Sequence, residues 1–232
     1  MDDFITHWQD KLYRSLRGFC GDETAERITE GREDITADSS KEEIIRWTSR
    51  TMQKIADECP EEMLQGILTA CSCPYPRSKL SELRELYTRT GDLDAVIERL
   101  QQQLENSLRQ GMLFEDEIVD RIKELGWGVA GRREGNRIII TKIPKSGNIR
   151  RYFATDDPEL RRELYCHCPR VRQAAALGME VPREYCICGA GYYAQIWESI
   201  IGRKVKVRVL ESITSGGDTC TFEVEIPEDT DE

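Results

Sequence analysis

The chain has 232 residues, 39% of them hydrophobic and 33% charged, with a formal net charge of −10 at pH 7. That length allows a buried core in one or two domains, and the negative surface opposes phosphate backbones and anionic lipid heads, so neither nucleic acid nor membrane is expected as a partner. The basic runs at 145–151 and 161–162 are short and flanked by acids, no apolar run reaches the about 18 residues of a membrane span, and the start Met1-Asp2-Asp3-Phe4 lacks the basic-then-apolar order of a secretory signal.

Helices fill the first half. Asp22 is placed to cap a helix over 23–30, and 35–40 reads as a polar loop. Ser40 and Glu43 have the spacing of a capping box ahead of Ile44, Ile45 and Trp47. That helix extends to Glu58 and stops before Pro60. A shorter one over 61–70 ends at Cys71, where Pro74 and Pro76 break the chain. Ser78 caps a helix to Thr88 and Asp92 a long one, in which Val96, Leu100, Leu104 and Leu108 form one apolar face.

The pattern changes near Gly111. Ile118, Val119, Ile122 and Leu125 mark an amphipathic helix that Gly126 ends. Residues 137–143 are β-branched and read as a strand, 145–148 as a turn, and 149–153 as the returning strand of a hairpin. Asp157-Pro158 opens a short helix to Tyr165. Gly189-Ala190-Gly191 opens another, which carries Tyr193, Trp197, Ile200 and Ile201 as far as Gly202.

Two strands close the chain. Val205, Val207 and Val209 alternate with Lys204, Lys206 and Arg208, and Phe222, Val224 and Ile226 alternate with Thr221, Glu223 and Glu225. Residues 215–218 supply the turn, and 227–232 form a frayed acidic tail. Counting by twos carries the inner face from Val209 to Glu211 and from Phe222 back to Cys220. A carboxylate on an apolar face needs a partner, and a metal ion is one. The alternative is a twist or bulge that returns Glu211 to water.

Three Cys-X-Cys pairs stand out: Cys71-Ser72-Cys73, Cys166-His167-Cys168 and Cys186-Ile187-Cys188. Random placement of nine cysteines would give about a third of one such pair. In a reducing cytoplasm, the compartment expected here, crowded thiolates point to a metal. Zinc is the first choice for Cys166, His167, Cys168, Cys186 and Cys188. An iron–sulfur cluster and a labile disulfide are alternatives. Cys71 and Cys73 could join that site, line a pocket or pack in the core. Cys20 and Cys59 read as structural and His7 as surface.

From Cys186-Ile-Cys188-Gly-Ala-Gly191-Tyr192 through Gly202-Arg203, Glu211-Ser212, Gly217-Asp218 and Cys220-Thr-Phe222, the sequence resembles the 4-vinyl-reductase-type small-molecule-binding domain, and more closely its L-2-amino-thiazoline-4-carboxylic acid hydrolase-like relatives. The specific motifs cover about residues 160–226. The resemblance implies an α/β ligand-binding domain beside a zinc site, with Cys186 or Cys188, Glu211 and Cys220 at the positions of the family's metal ligands. Those domains carry a further cysteine after the glutamate. Ser212 stands there here, so Cys166, His167 or Cys168 would have to replace it.

The expectation is therefore an α+β protein, with a helical N-terminal region (1–110) packed on an α/β domain (111–232) that holds an antiparallel sheet and a cysteine-rich metal site. Its metal ligands would be Cys166, His167, Cys168, Cys186, Cys188, Glu211 and Cys220. Cys71, Cys73, Tyr192, Tyr193 and Trp197 would line the pocket. The leading function is a zinc-containing, sensor-like small-molecule-binding protein. The first alternative is a metal-assisted hydrolase of a cyclic amide or thiazoline carboxylate, with Glu211 or Glu198 as base or Cys188 as nucleophile. The second is an interaction protein that uses its helical half. A homodimer is left open, and the identity of the ligand is not legible.

Overall fold

The structure, a computed structural model, describes residues 4–227. Seven helices come first: α1 (Phe4–Cys20), α2 (Asp22–Ile28), α3 (Lys41–Glu58), α4 (Glu61–Thr69), α5 (Ser81–Thr90), α6 (Leu93–Asn106) and α7 (Asp116–Glu124). There follow β1 (Arg132–Glu134), β2 (Arg137–Thr141), α8 (Ile149–Ala154), α9 (Pro158–Tyr165), α10 (Ile187–Ile201), β3 (Lys206–Glu211) and β4 (Thr221–Glu225), which complete an α+β fold. Of the expected acidic tail, 227–232, residues 228–232 fall outside the described residues. No helix among those described is long and apolar enough to cross a membrane.

Local chemistry sets most of the boundaries. The Ser40 hydroxyl accepts from the Glu43 N–H at 3.2 Å, and the Ser40 N–H donates to the Glu43 carboxylate at 2.8 Å, which is the reciprocal capping box. Asp92 accepts from the N–H groups of Asp94 and Ala95, and Asp157 from those of Glu159 and Leu160. Two expected caps are elsewhere. Asp22 is the first residue of α2 and Gly21 precedes it as the cap. Ser78 lies inside a separate 3-10 turn, Arg77–Lys79, because Pro76 keeps the chain extended and one tight turn is needed before α5 can start. At its far end α6 widens into a π-helical turn, Ser107–Gly111, which keeps Leu108 buried.

The sheet is antiparallel throughout, in the order β1-β2-β4-β3. This corrects the expected strand at 149–153. Both edges of β2 are occupied, by β1 and β4, so a returning strand has nowhere to pair. Ile149 and Tyr152, three residues apart, instead bury one face of a helix. The parity expectation for Glu211 is corrected too. Val209 pairs with Phe222 but Glu211 pairs with Thr221, with a bulge at Leu210 between them. The extra residue turns Glu211 onto the polar face that carries Thr141 and Thr221. That face also carries Glu223, bonded to Arg137 and Arg208 across the strands at 3.2 Å each.

Two large cores result, beside two smaller clusters around Val119 and Tyr165, and each large core draws on both sides of residue 110. The first packs Leu12, Leu16, Ile45, Trp47, Met52 and Ile67 from α1, α3 and α4 against Val171, Val181 and Tyr185 from the long loop after α9. The second packs Leu83 of α5 and Val96 and Leu100 of α6 against α10 and the inner face of the sheet. Helix α10 joins them. It crosses α4 closely at Gly191, where a Cβ would lie 2.2 Å from the Thr69 carbonyl oxygen, and it lies on β3 and β4 with Tyr193, Ile196, Trp197 and Ile200 buried. Burying each of those large side chains is worth about 1.5–3 kcal/mol.

Candidate functional site

Between the two cores lies a cavity of about 700 Å³. Its walls come from distant parts of the chain: Phe4 and Trp8 of α1, Cys73 and Tyr75 after α4, Leu100 to Ser107 along α6, the segment after β2, Cys166 to Cys168 after α9, the start of α10, and Cys220 and Phe222 at the end of the sheet.

Backbone anchors hold each wall. The prolines at 74 and 76 keep the segment after α4 extended, so it cannot satisfy itself. Gln195 of α10 satisfies it instead, donating to the Cys73 carbonyl at 2.8 Å and accepting from the Tyr75 N–H at 3.0 Å. Arg172 donates to the carbonyls of Cys166 (2.8 Å) and His167 (3.1 Å), which fixes the Cys-His-Cys turn. Tyr165 ties the strand ends together. Its hydroxyl donates to the Lys142 carbonyl at 2.5 Å and accepts from the Cys220 N–H at 3.1 Å.

Six cysteines line this one space: Cys73, Cys166, Cys168, Cys186, Cys188 and Cys220. Both cysteines of the Cys166 and Cys186 pairs are among them, and Tyr192 and Tyr193 line the space as well. Other nominated residues lie apart. Cys71 is 1% exposed, bonded to the Ile67 carbonyl and part of the first core. Trp197 is fully buried in the second core and does not reach the cavity wall. Cys20 and Cys59 sit together away from the cavity, their sulfurs 3.7 Å apart, and His7 is exposed on α1.

The donor set for zinc does not fit. Among the described residues no three His, Cys, Asp or Glu side chains are grouped so as to hold a metal ion. Of the seven nominated ligands, four are committed to separate partners. The Cys168 sulfur is 2.7 Å from the Tyr185 hydroxyl and the Cys186 sulfur 3.0 Å from that of Thr214. His167 Nε2 is 2.7 Å from the Ile143 carbonyl. Glu211 accepts from the Asp218 N–H (2.7 Å), the Thr219 N–H (2.9 Å) and the Thr219 hydroxyl (2.8 Å), so both its oxygens close the β3–β4 turn. Cys166, Cys188 and Cys220 contribute sulfur to the wall without forming such a group.

Burial controls the protons. It pushes the thiol of Cys188 up to about 12 and that of Cys220 up to about 11, and it raises Cys166 and Cys168 as well. These thiols therefore stay protonated near neutral pH. The same burial, followed by the charge of Lys142, lowers His167 to about 4. His167 is among the residues that line the cavity. Its ring is neutral, and since the Ile143 carbonyl can only accept, Nε2 carries the proton.

The central residue that the sequence reading missed is Lys142. Its Nζ lies 5.6 Å from the ring centroid of Phe222, 5.8 Å from that of Tyr192 and 5.9 Å from that of Tyr193. Strand parity carried the signal. Counting by twos along the inward positions Ile138 and Ile140 leads to Lys142, a charge on an apolar face.

No curated protein and no solved structure matches the chain. One family model, described as a family of unknown function (DUF6144), matches residues 148–230, a stretch that holds five of the six cavity cysteines but none of α1 to α7.

Proposed function

We propose that the chain binds a small organic molecule in the cysteine-lined cavity and holds it without turning it over. The cavity carries this reading. Its volume of about 700 Å³ falls in the range of roughly 300–1,000 Å³ typical of ligand sites. The walls are mainly apolar and aromatic with a few convergent polar groups, which is the composition that buries an organic ligand and orients it. The resemblance of residues 160–226 to small-molecule-binding domains supports the same reading.

Turnover finds less support. Cys188, the nominated nucleophile, is protonated near neutral pH because its surroundings exclude water. Glu211, the nominated base, spends its oxygens on the turn, and Glu198 accepts from Lys204 at 2.9 Å outside the cavity wall. A zinc-activated water is not part of the proposal.

Titration with phenylnaphthylamine, a neutral aromatic probe that fluoresces in apolar surroundings, tests the reading. Saturable binding at one site per chain is expected. Cys73 is exposed at the cavity wall, so Cys73→Trp is expected to fill that region without disturbing the fold and to weaken the probe. A native chain that shows no saturable binding, or a folded Cys73→Trp chain that binds as the native one does, would rule the cavity out as a ligand site.

A further inference from the structure

The geometry points to an anionic ligand, an aromatic or apolar skeleton bearing a carboxylate or similar acid group, whose acid end sits at Lys142 and whose skeleton lies among Tyr192, Tyr193 and Phe222. This rests on the binding function proposed above and names the class of molecule that would fill the site.

The charge balance of the wall is the first argument. The whole chain carries 43 acidic and 33 basic side chains. The cavity inverts that ratio: its charged lining residues are Lys79, Lys142 and Lys145, and no Asp or Glu lines it among the described residues. A pocket of one sign with low-dielectric walls concentrates ligands of the opposite sign. In a protein of net charge −10, such a pocket is the place where an organic anion is not repelled.

The surroundings of Lys142 are the second. The residue is half-buried at the end of β2, and its Nζ meets three ring faces at 5.6–5.9 Å. Those distances lie at the outer edge of cation–π contact, close to the roughly 6 Å limit, so the rings position the ammonium without neutralising it. Among the described residues that ammonium makes no ion pair with, and no hydrogen bond to, a carboxylate. A half-buried ammonium among ring faces and without a carboxylate partner leaves its hydrogen-bond donors open to a ligand acid group.

The rival counter-ions are the third. A thiolate could balance Lys142, but Cys188 and Cys220, the two thiols whose protons its charge pulls on, are held protonated by burial. His167 stays neutral and adds a ring nitrogen rather than a second cation. Lys145 is itself lowered by burial and then by Arg172, as an ammonium short of anionic neighbours would be. The ring faces of Tyr192, Tyr193 and Phe222 offer stacking area to an aromatic skeleton next to the charge.

Two probes that share a skeleton and differ by one charged group decide the matter. Anilinonaphthalene sulfonate carries an acid, and phenylnaphthylamine is its neutral counterpart. The native chain is expected to bind the sulfonate more tightly than the neutral probe, and added salt to weaken only the sulfonate. In Lys142→Met the sulfonate is expected to lose about tenfold in affinity while the neutral probe changes by less than about twofold. Lys142→Arg is expected to recover most of the loss. A Lys142→Met chain that binds the sulfonate at native strength, or that loses both probes equally, would overturn the acid site and leave the cavity as a neutral binder. If neither probe binds the native chain, the binding function itself fails, which is a separate result. Should Lys142→Met not fold, the salt dependence and the sulfonate-to-neutral ratio of the native chain still decide: no preference and no salt effect would refute the proposal.

Discussion

A single residue, Ser72, separates Cys71 from Cys73, and the two cysteines meet opposite surroundings. Cys71 sits at the end of α4, almost fully buried, with its thiol raised chiefly by desolvation. Cys73 has passed into the extended segment and is exposed. Alkylation of the native protein by iodoacetamide, read by peptide mass spectrometry, is therefore expected to label Cys73 early and Cys71 only after unfolding. Equal labelling of the two would show that the segment after α4 opens in the native state. The Ser40 cap gives a second check at this scale. Ser40→Ala removes the hydroxyl that accepts from the Glu43 N–H at the start of α3, leaving only the Ser40 N–H to Glu43 carboxylate half of the box, and is expected to cost about 1 kcal/mol in urea denaturation. The cap was legible because it depends on two residues three apart. The sulfur pairs were legible for a similar reason, since spacing alone marked them. What spacing could not reveal is the local partner that four of the seven nominated donors have, such as Tyr185 for Cys168 and Thr214 for Cys186.

Elements were readable where a single face decided them, and misread where pairing did. The apolar face of α6 and the alternation of β3 and β4 follow from period alone. Residues 149–153 have strand-like composition, yet β1 and β4 already fill both edges of β2, and that fact belongs to the sheet rather than to the segment. The bulge at Leu210 is of the same kind. It leaves the composition of β3 unchanged and reverses the side on which Glu211 emerges. The α4–α10 crossing offers a test of element packing. Adding a methyl at Gly191 drives it against the Thr69 backbone, which cannot rotate away, whereas Gly18 of α1 has open space around its Cβ position. Gly191→Ala is expected to destabilise by about 1–3 kcal/mol. Gly18→Ala should stabilise by about 0.5–1 kcal/mol through helix propensity alone. A Gly191→Ala chain as stable as the native one in urea would mean that the two helices do not pack at this distance.

At the scale of the whole molecule, the cavity exists because neither core closes over it. The loop after α9 covers the first core, α10 spans the gap, and the sheet end and α6 supply the remaining walls. The walls bury groups that titrate only when exposed, and stability should follow their protons. Burial raises Cys188 and Tyr192 to about 12 and Cys220 to about 11, and it raises Cys59, outside the cavity, to about 12 as well. The ordinary values are 9.0 for a thiol and 10.0 for a phenol. The sign is set by which state releases protons first. Above pH 9.0 the unfolded chain ionises these thiols while the folded chain keeps them neutral, so the unfolded state gains. The stabilisation is fully present below that pH and is lost as pH rises through 9.0 toward about 11 and 12, where the folded groups follow. Urea midpoints are thus expected to hold steady up to about pH 9 and then fall steeply. The ultraviolet absorbance of thiolate should grow in step with loss of the folded signal rather than ahead of it. If thiolates accumulate in a chain whose urea midpoint has not moved, water already reaches the sulfur-lined wall, and the apolar character that makes this cavity a binding site is lost with it.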